Sequence, residues 1–178
     1  FMFSRPIVSL TVAAPAAFAD RDVTTEITDV LATATAGTGG VPDNIVISST
    51  GRVTRTSASA AAVTLNSDNS ISNAGTISIT TDEDDAVGVH IVGGNTGDFT
   101  NTGRIEILSE TAQTIGTDGR VDGPIATGSN RVAILVDGAT VFTGDILLTS
   151  GSAIVVRGND SAGIRILTNL DGDFTYAG

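Results

Sequence analysis

The segment FTNTGRIEI (99–107) contains the unit from which most of this chain is built. It places a bulky apolar residue, Phe99, four positions before Gly103, and β-branched residues, Ile105 and Ile107, two and four positions after it. Polar residues alternate with these apolar ones, which predicts short strands with one buried and one exposed face.

Further copies of this unit recur along the sequence. They are ISSTGRV (47–53), ISNAGTISI (71–79) with Ile71, Ile77 and Ile79 at the apolar positions, LTSGSAIVV (148–156), and FTYAG (174–178) with Phe174. The pivotal glycines are Gly51, Gly75, Gly103, Gly151 and Gly178, at intervals of 24, 28, 48 and 27 residues. A period in the twenties is that of a coil rather than of a domain. The long interval equals one period plus an insertion, which we place at 108–128.

A second pattern has the same period but does not depend on these glycines. Alternating apolar residues recur as Val87, Val89 and Ile91, as Val132, Ile134 and Val136, and as Gly163, Ile164 and Ile166, with Ala61, Val63 and Leu65 as the earliest copy. Gly-Asp pairs then follow at 97–98, 144–145 and 172–173. Because two separate features share one period, chance is a poor explanation for either.

These repeats predict an all-β, right-handed, single-stranded parallel β-helix (β-solenoid) with three short strands per coil and a period of about 24–28 residues. Stacked coils would form columns of Ile on Ile and Phe on Phe, with glycines at tight corners. Asn73 and Asn101 share one repeat position and are expected to form a side-chain ladder, which Tyr176 would interrupt in the last copy.

Composition limits the class of protein further. The 178 residues carry a net charge of −11 and only 4% aromatic residues; all basic residues are Arg, and Cys is absent. Strong acidity disfavours nucleic acid and anionic lipid as partners, and the absence of Cys excludes thiolate sites and disulfides. We expect no cofactor and no membrane insertion of the segment.

The N-terminal segment, residues 1–19, resembles an export signal. Arg5 precedes an apolar run, and the small residues Ala17 and Ala19 occupy the positions that a signal peptidase accepts. We therefore expect cleavage after Ala19, with a shortened n-region because the chain starts with Phe. Residues 20–43 would form an entry or cap segment, and 44–178 the coils, with the last repeat interrupted at the C-terminus.

At GNDSAGIRI (158–166), DFTNTGRIEI (98–107) and SNAGTISI (72–79) the sequence resembles the passenger domains of bacterial autotransporters, particularly the Gly/Thr/Asn-rich ones of alphaproteobacteria. This resemblance implies export through the periplasm, an outer-membrane β-barrel translocator downstream on the same chain, and folding at the cell surface. A stalk or adhesin scaffold is the function it implies, with a host-cell or surface glycan as a possible ligand.

Candidate sites are few. His90, the only histidine, is expected to face outward between Val89 and Ile91, and a lone histidine has no partner for a catalytic triad or a metal cluster. The acidic run Asp82, Glu83, Asp84 and Asp85 offers oxygen ligands for Ca²⁺ but lacks EF-hand or β-roll spacing, so a solvated turn is favoured. Asp118 and Asp122 of the insertion are a second weak Ca²⁺ candidate, and a surface loop is favoured there too.

No catalytic residue is predicted, because serine-nucleophile and phosphate-binding motifs are absent from the sequence. Two alternatives to a non-enzymatic stalk remain open. One is a polysaccharide-active β-helix enzyme, which requires Asp residues on outward positions of adjacent coils, clustered in a groove. The other is a haemagglutinin-like filament exported by a separate barrel protein.

Overall fold

The computed structural model describes residues 19–124 and 126–177. In chain order the strands are β1 (Arg21–Val23), β2 (Glu26–Ile27), β3 (Leu31–Ala32), β4 (Ile45–Ile47), β5 (Arg52–Arg55), β6 (Val63–Leu65), β7 (Ile71–Asn73), β8 (Thr76–Thr80), β9 (Val87–Val92), β10 (Phe99–Asn101), β11 (Arg104–Leu108), β12 (Thr114–Ile115), β13 (Val121–Asp122), β14 (Val132–Asp137), β15 (Phe142–Thr143), β16 (Ile146–Leu148), β17 (Ala153–Val156), β18 (Ala162–Ile166), β19 (Leu170–Asp171) and β20 (Phe174–Tyr176). One 3₁₀ turn, Thr33–Thr35, follows β3.

Successive coils contribute one strand to each of three parallel sheets. Sheet 1 has the order β1-β4-β7-β10-β16-β20, sheet 2 β2-β5-β8-β11-β17, and sheet 3 β3-β6-β9-β14-β18. Strands β15 and β19 form a short parallel pair beside them. The predicted parallel β-solenoid with three short strands per coil is therefore confirmed.

Like side chains stack in columns inside the solenoid. Phe99 pairs with Ile71 on one side and Ile146 on the other, and Ile105 lies between Ile77 and Ile154. Complete burial of such a side chain contributes roughly 1.5–3 kcal/mol. The predicted core residues Ile71, Ile77, Ile79, Phe99, Ile105 and Ile107 are at most 1% exposed, whereas Phe174, in β20 at the edge of sheet 1, is 40% exposed.

The corner between sheets 1 and 2 depends on glycine because the coils approach closely there. A Cβ on Gly75 or Gly103 would lie 2.2 Å from the carbonyl oxygen of Gly51 or Gly75 in the preceding coil. Gly151 meets a different demand: it has φ +91°, and no atom lies within 4 Å of the place a Cβ would take. Two additional residues enter its corner, since Phe99 aligns with Ile146 but Arg104 aligns with Ala153. Gly178 lies outside the described residues.

The asparagine ladder forms at this corner but is shorter than expected. The Asn73 side-chain amide donates to Asn101 Oδ1 at 2.7 Å, and both residues are fully buried. Leu148 takes the next position along the column, so the ladder already ends there, before Tyr176. Asn73 Oδ1 also accepts from the Gly75 amide, which ties the ladder to the stacked glycines.

The insertion leaves the solenoid between β11 and β14. Its strands β12 and β13 form an antiparallel hairpin in which Thr114 pairs with Asp122 and Ile115 with Val121. The stacking of β14 on β9 continues on the far side of the insertion. The additional chain is therefore accommodated sideways, at a corner, without disturbing the parallel register.

The first coil begins earlier in the chain than the repeats predict. Strands β1, β2 and β3 lie within 20–43 and pair in parallel with β4, β5 and β6, so this segment is itself a coil. The expected signal segment lies outside the described residues except for Ala19. In the part of the chain that the structure describes, no helix is long and apolar enough to cross a bilayer.

Candidate functional site

The Gly-Asp repeat forms a carboxylate ladder at the edge of sheet 1. Asp98, Asp145 and Asp173 occupy equivalent positions, each directly before its sheet 1 strand. The Asp145 amide donates to Asp98 Oδ1 at 2.9 Å, and the Asp173 amide donates to Asp145 Oδ1 at 2.8 Å. Each of these two acceptor carboxylates therefore binds the backbone of the next coil, which keeps the coils aligned.

The glycine before each aspartate permits this close stacking. A Cβ on Gly144 would lie 1.9 Å from the Gly97 carbonyl oxygen, and one on Gly172 would lie 2.2 Å from the Gly144 oxygen. No side chain other than hydrogen fits between these backbones. The recurrence of Gly-Asp in the sequence thus has a structural cause.

Earlier coils use other polar residues at the same position. Ser70 donates its amide to Asn44 Oδ1 at 2.9 Å, and the Asp98 amide donates to Ser70 Oγ at 3.0 Å. The Asn44 side-chain amide donates to Asp20 Oδ1 at 3.1 Å. Asp, Asn and Ser all supply a short oxygen acceptor, so this edge is bonded from the first coil to the last.

A shallow groove runs beside this ladder on the outer face of sheet 1. Two adjoining cavities of about 210 Å³ and 270 Å³ share Asp98 and Thr100. Asp145, Asp173 and Thr175 extend the lining toward the last coil. The groove is therefore lined mainly by carboxylates and hydroxyls, with the apolar side chains of Val46 and Leu147 between them.

The acidic run 82–85 faces several directions and binds neighbouring segments rather than a common point. Asp82 accepts from Ser109 Oγ, the Glu110 amide and Thr111 Oγ1. The Ser109 bond is the main cause that lowers the pKa of Asp82 below its ordinary value. The hydrogen bonds of Asp82 thus join the start of the insertion to the preceding coil.

The other three acidic residues of the run are bonded to other partners. Glu83 accepts from the Ala58 amide, Asp84 from the Ser129 amide at 2.7 Å, and Asp85 from the Asn130 side chain at 2.6 Å. Asp85 also adopts a positive φ, as do Asn130 and Asp160 in the same position of the next two coils. The run is a corner whose carboxylates hold other coils in place.

The acidic residues of the insertion are used within the hairpin. Asp118 Oδ1 accepts from the Arg120 amide at 3.0 Å, and a Cβ on Gly116 would lie 2.5 Å from Asp122 Oδ2. The hairpin also presents Ile115 and Val121 to solvent. Across residues 19–124 and 126–177, no three His, Cys, Asp or Glu side chains form a group that could hold a metal ion.

Arg131 is the main structural residue that no sequence pattern indicated. It is fully buried, and its guanidinium donates to backbone carbonyls drawn from three coils, those of Thr81, Glu83, Leu108 and Arg157. Gly128 is required beside it, because a Cβ there would lie 2.2 Å from the guanidinium. Arg131 therefore closes the base of the insertion and joins it to the coils on both sides.

His90 has one carboxylate neighbour. Its Nε2 lies 2.6 Å from Asp137 Oδ1, and the two side chains are 29% and 38% exposed. The contact forms because β14 stacks on β9 and places Asp137 beside Val92, two residues beyond His90. The pair lies on the outer face of sheet 3.

Comparison with protein families, curated proteins and solved structures finds no match to this chain.

Proposed function

We propose that this chain is a non-enzymatic stalk segment of an exported cell-surface protein, which acts as an adhesin scaffold. The observation that carries the proposal is the continuous polar ladder along sheet 1, in which residues from Asp20 to Asp173 link each coil to the next. Such a stack resists bending at each coil and projects whatever it carries away from its anchor.

The acidic corner supports the same proposal. Side chains that suggested a Ca²⁺ site, Asp82 to Asp85, instead bond to segments of neighbouring coils. Buried Arg131 likewise serves cohesion between coils. These polar groups are explained by the stacking of coils, which an extended stalk requires.

The stalk proposal predicts that reach depends on the number of coils. Deletion of 71–98 removes one period, because Ile71 and Phe99 are aligned in register, and joins Ser70 to Phe99. In the full-length surface protein, cell binding or aggregation should weaken progressively as one, then several, coils are deleted. His90→Ala, which leaves coil number intact, is the control. Unchanged binding by every deletion, with surface display verified, contradicts the proposal.

Export and partners belong to the same proposal. We propose passage through the periplasm, an outer-membrane β-barrel translocator on the same polypeptide, and exposure at the cell surface, where a host-cell or surface glycan would be the ligand. A haemagglutinin-like filament exported by a separate barrel protein is the alternative route. The reading frame downstream of this segment distinguishes the two.

A second candidate function, a polysaccharide-active enzyme, is favoured by the groove on sheet 1. Asp98, Asp145 and Asp173 lie on adjacent coils and line it together with Thr100 and Thr175. This meets the requirement of acidic residues on neighbouring coils, and paired carboxylates are the usual catalytic groups of glycoside hydrolysis.

Incubation with neutral and acidic glycan polymers, with and without Ca²⁺, separates the two candidates. Release of reducing ends or unsaturated products that Asp145→Asn abolishes would establish the enzyme and exclude the passive stalk. Asp118→Asn, on the hairpin of the insertion, is the matched control. The stalk predicts no product with any polymer.

A further inference from the structure

We infer that cleavage after Ala19 creates an α-ammonium at Asp20 which binds the buried carboxylate of Asp43 and locks the first coil. This inference rests on the proposed export of the chain. The sequence supplies the cleavage motif, and the structure supplies an acceptor for the new terminus.

The acceptor is an unusual carboxylate. Asp43 is only 7% exposed, and its Oδ2 is buried without a hydrogen-bond partner in the described residues. Its Oδ1 accepts from the Asn44 amide at 2.9 Å, and its own amide donates to the Thr33 carbonyl. A buried carboxylate oxygen without a partner is costly, so this site calls for a cationic donor.

Strand register brings the cleavage point to this carboxylate. Arg21 aligns with Ile45, and Asp20 is bonded to Asn44, so the peptide between Ala19 and Asp20 lies alongside Asp43 and Asn44. Removal of Ala19 and everything before it opens this position at the moment when hydrolysis yields the free amine of Asp20.

An open space exists on the same side of the first coil. A cavity of about 290 Å³ is lined by Ala19, Asp20, Arg21 and, from the turn before β4, Gly37. Asp43 packs directly behind the lining residue Gly37, since a Cβ on Gly37 would lie 3.1 Å from the Asp43 Cβ. The cavity gives the new terminus room to turn toward the carboxylate.

The chain offers a clean way to detect this pair. It contains no Lys, so the α-amine of the processed chain is its sole primary amine and an amine-reactive label reports on that group alone. An ammonium held by a carboxylate is protonated to higher pH and reacts more slowly. We expect labelling of the folded chain that starts at Asp20 to be about tenfold slower than labelling of the same chain unfolded in urea.

Three matched chains complete the test. Asp43→Asn should restore fast labelling. Asp22→Asn, which removes a nearby carboxylate on β1, should leave labelling slow. A chain that starts at Phe18 should be labelled fast. Circular dichroism verifies that each is folded. Equal rates for wild type and folded Asp43→Asn overturn the inference.

Native processing provides an independent check. Mass spectrometry of the exported protein should show Asp20 as the first residue. A different first residue overturns the inference but leaves the stalk proposal standing, whereas absence of export overturns the stalk proposal while the labelling result still decides whether Asp43 holds the amine.

Discussion

Two corners of the solenoid solve the same problem of bending the chain between sheets in different ways. The corner between sheets 1 and 2 repeats one device, stacked glycines with the buried Asn73–Asn101 pair. The corner between sheets 2 and 3 repeats only a positive φ, at Asp85, Asn130 and Asp160. It depends otherwise on side chains that occur once, above all the buried Arg131, where the insertion rejoins the stack. At the corner between sheets 1 and 2, the repeated corner, stability therefore depends on similar contacts in several coils. At the corner between sheets 2 and 3, the unique corner, much of it depends on one side chain.

The largest expected effect is at the unique corner. Arg131→Met removes the donor to the carbonyls of Thr81, Glu83, Leu108 and Arg157, of which Leu108 keeps the Thr81 amide as a second donor. We expect the free energy of unfolding to fall by about 3–5 kcal/mol, because several hydrogen bonds from a charged donor are lost, each worth about 1.5–3 kcal/mol. Denaturant titration measures it; Arg157→Met, a change in the neighbouring coil that leaves the Arg157 carbonyl in place, is the control. A loss of stability below about 1 kcal/mol would show that the hydrogen bonds of Arg131 are not needed for the fold.

A smaller loss is expected at the repeated corner. Gly103→Ala places a methyl group 2.2 Å from the Gly75 carbonyl oxygen, and the coils must separate to admit it, at a cost of about 2–3 kcal/mol. Gly151→Ala meets no neighbour but must hold φ at +91°, which costs about 1–2 kcal/mol. If thermal or denaturant unfolding ranks Gly151→Ala as the more damaging change, close approach is not what selects glycine at this corner.

The asparagine pair offers a sharper test of the repeated corner. Asn101→Leu imitates the natural Leu148 of the next coil but leaves the Asn73 side-chain amide with only a long contact to the Arg104 carbonyl, at a cost of about 1–3 kcal/mol. The double change Asn73→Leu and Asn101→Leu should recover part of that loss, because the side-chain donor of Asn73 is removed, whereas the Gly75 amide loses its acceptor, Asn73 Oδ1. Additive losses in a double-mutant cycle would contradict the ladder.

The smallest effect concerns pH at the acidic corner. Because hydrogen bonds lower the folded-state pKa of Asp82, its contribution to stability is present above the unfolded pKa and is lost as pH falls through the folded one. Between neutral pH and acid, Asp82→Asn should therefore lose less stability than wild type. If wild type and Asp82→Asn lose the same stability across that pH range, Asp82 does not contribute to the pH dependence.

The same contrast explains what the sequence could reveal. Columns such as Ile77–Ile105 and the stacked glycines were predictable because repetition aligns them in the sequence itself. Arg131 occurs once, and its acceptors lie between 23 and 50 residues away, so no period marks it. The contact of His90 with Asp137, 47 residues on, is diagonal: the repeats align Ile91 with Val136, but they do not indicate that a side chain reaches a residue two positions further along the neighbouring strand.

Only the repeat of the Gly-Asp pairs, and not the groove that they line, could be predicted from the sequence. The pairs at 97–98, 144–145 and 172–173 were apparent as a repeat, but their hydrogen bonds to the next coil needed the register that the structure supplies. The Asp43 carboxylate had no sequence signal, because its isolation depends on the turn 33–43 that folds around it.

The length of a coil in residues is independent of the height it adds. Ile45 is aligned with Ile71, and Phe99 with Ile146, so coils of very different length each advance the stack by one strand, about 4.8 Å. The molecule therefore carries a lateral hairpin, inserted at the corner between sheets 2 and 3, while the extension of the stack stays constant. Its height and its surface chemistry can change independently in evolution.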